Sequence, residues 1–161
     1  MSVEYRAYEK EVTNSMPKFE HEAEIGVPVE KAWAVMTDPT QWPQWFPGIE
    51  AVSNVSAVEA GGTFEWKHGG QAGHGTIVSI KPMQRLEILT QMGSDKDSHV
   101  FELEAKHGFL GAGESHECVV KYTLDTLMAG GILANLVAGG NPRDMLRVKA
   151  ALDQLKKLLE G

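Results

Sequence analysis

Three imidazoles and one phenol are the side chains best suited to chemistry in this sequence. His68 follows Phe64 and Trp66 at every second position, and His99 precedes Phe101, Leu103 and Ala105 in the same way. His116 opens the series Cys118, Val120, Tyr122 and Leu124. Alternation by twos puts each set on one side of a strand, so His68, His99, His116 and Tyr122 take the inward phase. A buried neutral imidazole needs partners for both ring nitrogens, and one near its ordinary pKa can act as a general base. Tyr122 adds a phenolic proton. The commoner fate of such an imidazole is a place at the surface or a strand end. The side taken by His74 is left open.

Other chemistries are poorly served. A metal needs three or four converging ligands, and the histidines come from separate strands without an H-x-x-H or H-E-x-x-H spacing; no metal and no cofactor is expected. Cys118 reads as a small buried hydrophobe. A nucleophilic thiol needs a paired base, and His116 lies two positions away, about 7 Å along a strand. Glu65, Glu87, Glu102, Glu104 and Asp125 fall on the outward phase and form no acid–base pair. The glycine-rich stretches 69–75 and 108–113 lack the lysine and following helix of a phosphate loop, and are read as turns, or the rim of an opening.

The elements that would position these groups follow from patterning. Lys18–Ile25 alternates charged and less polar residues, as a half-exposed antiparallel strand does. Pro28 suits the start of a helix, with Val29, Ala32, Trp33 and Met36 at helical spacing, and Asp38-Pro39 ends it. A second, shorter helical turn holds Trp42, Trp45 and Phe46 between Pro39, Pro43 and Pro47. Six strands are predicted next: Ile49–Val58, Thr63–His68, Gly73–Ile80, Arg85–Met92, one through His99–Ala105 and one through His116–Leu124. Residues 128–140 are small and apolar, a short helix, a glycine-hinged lid or a plain connector. Asn141-Pro142 then caps a helix running to Leu159, with Met145, Val148, Leu152, Leu155 and Leu159 on one stripe. Eighteen helical residues span about 27 Å, enough to cross a sheet. An antiparallel sheet with one apolar face needs such a cover. The predicted class is α+β: a helix-grip of a curved antiparallel seven-stranded sheet around a long C-terminal helix, with two short helices after strand 1. Residues 1–17 are expected to be an N-terminal extension, or an added edge strand given the weak alternation of Val3, Tyr5 and Ala7, and residues 18–161 a single ligand-binding domain.

Val27-Pro28-Val29-Glu30-Lys31-Ala32-Trp33, followed by Asp38-Pro39 and Trp42-Pro43-Gln44-Trp45-Phe46-Pro47-Gly48, resembles the opening signature of the SRPBCC superfamily, in its polyketide cyclase/dehydrase and START-like branch. The resemblance extends over residues 18–160 in element order. It implies a mostly apolar cavity between sheet and long helix, the usual form of a small-molecule site. Fold alone does not choose among the functions of that superfamily.

The residues expected to line the cavity are Trp42, Trp45, Phe46, Phe64, Trp66, Thr90, Met92, Phe101 and Tyr122, faced by Met128, Met145 and Leu152. The other reading of Trp42, Trp45 and Phe46 is that they plug the sheet's end and anchor the two short helices, and that of Phe64, Trp66, Met92, Phe101 and Tyr122 is that they fill the core, since aromatics dominate packing generally; Trp33 is assigned to the core. The leading expectation is binding or transport of a hydrophobic or aromatic small molecule, such as a lipid, quinone or polyketide-like compound. The alternatives are a metal-free cyclase or dehydratase, using an inward histidine or Tyr122, and a protein-interaction regulator of the same fold. A net charge of −7 disfavours nucleic acid and anionic membranes. No apolar run has the length of a membrane span. A single cysteine and the absence of a signal-like start suggest a cytoplasmic protein. Monomer and homodimer both remain open.

Overall fold

The structure, a computed structural model, describes residues 18–106, 116–127 and 142–161. Seven strands form one antiparallel sheet: β1 (Lys18–Ile25), β2 (Ala51–Ser53), β3 (Thr63–His68), β4 (Gln71–Lys81), β5 (Arg85–Met92), β6 (Asp95–Lys106) and β7 (Glu117–Leu127). Their order across the sheet is β1-β7-β6-β5-β4-β3-β2. Between β1 and β2 lie α1 (Val29–Met36), a 3₁₀ turn (Pro39–Gln41) and the one-turn helix α2 (Trp42–Trp45). The last element is α3 (Pro142–Glu160). This is the helix-grip arrangement that alternation and helical spacing predict.

Alternation along β5, β6 and β7 places Leu86, Ile88, Phe101, Leu103, Cys118, Val120, Tyr122 and Leu124 in the core. The opposite side of that core is Val148, Ala151, Leu152, Leu155 and Leu159 of α3. Met145 was expected on this stripe and is instead 41% exposed. Asp144 takes the buried place in that turn, one helical turn before Val148. At its far end α3 is tied to β1: Lys156 Nζ donates to the Glu24 carbonyl at 2.7 Å. The Gly26 N–H donates to Glu160 Oε2 at 2.8 Å.

The strand expected over 49–58 is only three residues long. Asn54 has a φ of 51°, a left-handed conformation incompatible with an extended strand, and its side chain donates to Glu65 Oε2 at 2.6 Å. The strand expected over 73–80 is longer, because Gly69 and Gly70 (φ 56° and 80°) form a two-residue hairpin turn needing positive φ twice. Gly73 and Gly75 are therefore within β4. They sit opposite Trp66 and Phe64 of β3, and the two aromatic rings lie over them: a Cβ on Gly75 would come within 2.1 Å of the Phe64 ring. β4 also carries a bulge between Ile77 and Ser79, a device that bends a strand.

Among the described residues no helix is long and apolar enough to cross a membrane. The segments 1–17, 107–115 and 128–141 lie outside them, and with them the predicted N-terminal extension, the second glycine loop, the lid and Met128.

Candidate functional site

The proline-rich segment after α1 is held by hydrogen bonds on both sides. Asp38 Oδ1 accepts from the Thr40 N–H at 3.0 Å and caps the 3₁₀ turn. The Trp42 indole donates to the Met36 carbonyl at 2.8 Å, which fixes α2 against the end of α1. Trp42 then packs edge-on against Phe64, with ring centroids 4.9 Å apart, inside the core. Trp45 and Phe46 come next and meet Phe101 edge-on at 5.3 and 5.6 Å.

Beside Trp45 and Phe46 a cleft of about 320 Å³ opens toward α3. One wall is the Pro43–Ile49 segment; the other is Arg147, Ala150, Ala151 and Gln154; Glu50 and His68 complete the lining. The two alanines are what leave room, since larger side chains there would occupy the space. Its volume is at the lower end for small-molecule sites. The Trp45 indole N–H is buried and has no hydrogen-bond partner among the described residues.

Behind Phe46 lies a buried polar cluster. The His99 ring is 4.8 Å from the Phe46 ring, edge to face. His99 Nε2 is 2.9 Å from Thr90 Oγ1, and Nδ1 is 2.6 Å from the Tyr122 hydroxyl. Both ring nitrogens are thus satisfied: with Tyr122 donating to Nδ1, the Nε2–H donates to Thr90. Burial first, and the nearby Arg147 charge second, push the His99 pKa down to about 3. Burial likewise holds the Tyr122 phenol well above its ordinary value, against the opposing pull of Arg147. At neutral pH the cluster is therefore an uncharged chain of hydrogen bonds.

A charged bridge links this region to α3. Arg147 donates through one terminal nitrogen to Asp144 Oδ1 at 3.0 Å and through the other to Asp97 Oδ2 at 3.3 Å. The two carboxylates are largely covered, and Arg147 is about one-third exposed in the cleft. Burial raises the Asp97 pKa, and Arg147 opposes the rise. Burial works against the guanidinium charge, but Asp97 leads the groups that outweigh it. Thr126 adds a long contact to Asp144 Oδ2 at 3.5 Å.

The residues singled out in sequence fall into separate places. Trp45 and Phe46 line the cleft, and His68 reaches it from the rim. His68 is exposed, contrary to its expected inward phase: it ends β3 beside the hairpin turn and lies 3.4 Å from Glu50. His116 is also exposed, because β7 starts one residue later. Only His99 of the three is buried, and it joins Thr90 and Tyr122. Trp42, Phe64, Phe101 and Leu152 belong to the core. Trp66 is half-buried and donates to the His74 carbonyl at 2.9 Å. Met92 is half-buried and Met145 exposed, so Met145 does not face the aromatics as expected. Cys118 is buried, and burial pushes its thiol pKa up, with Glu30 adding to the effect.

Sequence reasoning missed Asp97, Asp144, Arg147, the two alanines and Gln154. A signal did exist for Asp97: it shares the inward phase of His99 and Phe101, and a carboxylate there needs a cation. Among the described residues no three His, Cys, Asp or Glu side chains are grouped to hold a metal ion.

Residues 16–160 match the family described as polyketide cyclase / dehydrase and lipid transport. No curated protein matches the sequence significantly. Among solved structures, a protein from Arthrobacter aurescens is similar over 92% of this chain and 88% of its own, with a TM-score of 0.67 at 14% identity. Norcoclaurine synthase from Thalictrum flavum, a point mutant in complex with a transition-state analogue, is similar over 90% of this chain and 94% of its own (TM-score 0.59, 12% identity). The Aha1 dimer from Colwellia psychrerythraea is similar over 90% and 97% (TM-score 0.59, 16% identity). At such identities the likeness is one of fold.

Proposed function

This chain belongs to the polyketide cyclase/dehydrase and lipid-transport family, and from that premise we propose that it binds a hydrophobic or aromatic small molecule in the cleft between the Pro43–Ile49 segment and α3. The observation that carries this reading is the cleft itself: about 320 Å³, walled by Trp45, Phe46 and Ile49 and roofed by small residues of the helix. Apolar walls with a few polar groups are the usual chemistry of such sites. The ligand's apolar area supplies the binding energy, and Arg147, Gln154 and His68 orient it.

Native mass spectrometry of freshly purified protein, followed by thermal shift with flat aromatic and lipid-like compounds, tests the proposal. A ligand at one hundred times its Kd stabilises the native state by about 2.7 kcal/mol. The Ala150→Leu variant fills the cleft without touching the core and is expected to lose that shift. An unchanged melting temperature with every compound, in a folded protein, sinks the idea.

The Thr90–His99–Tyr122 cluster favours a second reading, a cyclase or dehydratase. Three polar side chains converge within hydrogen-bond reach, which a plain apolar binder does not need. All three are buried, and Phe46 packs edge-on against His99 on the cleft side, so in this reading a substrate reaches the cluster only when the side chains around it move. This reading requires turnover of a poly-ketone substrate that Tyr122→Phe abolishes while binding persists; absence of any turnover removes it.

A further inference from the structure

If an aromatic body occupies the cleft, the polar end of the cleft specifies what that body carries. We propose that Arg147 determines specificity there, selecting a neutral oxygen acceptor, a ring carbonyl or a phenol, over a carboxylate on the same ring. The inference rests on the cleft-binding reading above and adds the ligand's chemical class.

A guanidinium offers five N–H donors in a flat fork. The bonds to Asp144 and Asp97 use one from each terminal nitrogen, and the same side chain lines the cleft. Gly48 stands opposite, with a φ of 80°. A Cβ there would lie 3.7 Å from the Arg147 terminal nitrogen, so glycine keeps the approach to the guanidinium open. A ligand oxygen at this point receives a charge-assisted hydrogen bond, stronger than a neutral one. A hydrocarbon in the same place would cover the N–H groups without satisfying them.

The local charge decides between kinds of oxygen. The single guanidinium is already bonded to Asp97 and Asp144, and Glu50 lines the same cleft. A carboxylate ligand brings a further negative charge among these three and meets like-charge repulsion. A ketone or phenol meets none and keeps the hydrogen bond. The ring partner is then Trp45 or Phe46, whose faces suit flat bodies.

Calorimetry with naphthalene, naphthol and naphthoate near neutral pH tests this on the wild-type protein. Naphthol should bind on the order of ten-fold more tightly than naphthalene, the effect of one such bond, and naphthoate more weakly than naphthol. Replacing Arg147→Met together with Asp97→Asn and Asp144→Asn removes the guanidinium without leaving either of its carboxylate partners charged and unpaired, and should bring naphthol and naphthalene to equal affinity. Should that variant not fold, nitrogen-15 spectra of the wild-type arginines provide the check: the Arg147 side-chain N–H signals must show a downfield, hydrogen-bond shift with naphthol beyond the ring-current change that naphthalene produces. Equal affinities for the two in the wild type, or tightest binding of naphthoate, would overturn the inference and leave cleft binding standing. Binding by none of the three, with Ala150→Leu indistinguishable from wild type, removes cleft binding itself.

Discussion

His99 shows how one buried side chain sets a property of the whole protein. Its ring is fully covered, both nitrogens are bonded, and its pKa falls from 6.5 to about 3 on folding. The unfolded chain therefore takes up a proton between those values that the folded chain refuses. Stability is fully present above about pH 6.5 and is lost as the pH falls toward 3. Asp97 works the other way, since its folded pKa is raised: its share is present at low pH and is lost as the pH rises through its folded value. Going from about pH 7 to about pH 5, the histidine's contribution falls by about 2 kcal/mol. Urea unfolding at both pH values should show that much excess loss in wild type relative to His99→Gln, whose amide can donate and accept but does not titrate. Equal losses would mean that the ring is not buried neutral. The inward place of His99 was legible because it sits mid-strand, where alternation is strict. His68 and His116 were not, because at a strand's end the backbone turns away from the pleat that alternation assumes.

At the scale of elements, the hairpin β3–β4 depends on two glycines that composition alone presents as loop. Trp66 faces Gly73 and Phe64 faces Gly75 across the pair. Each ring lies where the glycine has no side chain. Gly75→Ala places a methyl group inside the Phe64 ring's space, and the buried ring has nowhere to retreat. Overpacking of this kind costs about 1–3 kcal/mol, measurable by chemical denaturation. Gly70→Ala leaves that ring untouched, since nothing lies within 4 Å of its Cβ position, but it must hold a φ of 80°, and its cost is backbone strain instead. If Gly75→Ala were neutral, the close ring placement would be wrong. The turn was legible from the Gly69-Gly70 doublet; the ring contacts were not, since strand register is needed to know which residue faces which. The Asp97–Arg147–Asp144 bridge escaped for a similar reason, because its longest link joins residues 50 positions apart.

Over the whole molecule, the sheet is completed by pairing its first strand with its last. β1 runs against β7, from Lys18 opposite Asp125 to Ile25 opposite Cys118, and α3 then locks the end of β1 through Lys156 and Glu160. Element order was legible, because each element has its own local period. The partner of β1 was not, because that contact is remote in sequence. Closure of so long a loop is slow, and topologies dominated by such contacts refold in milliseconds to seconds. Stopped-flow refolding should fall in that range; microsecond refolding would contradict the register. The distance between Phe46 and His99 has a last consequence. The Phe46 ring belongs to the cleft wall and stands 4.8 Å from the imidazole, so an occupant that tilts the ring changes the ring-current field at His99 without touching it. The carbon-bound protons of that imidazole are a built-in spectroscopic reporter of whether the cleft is occupied.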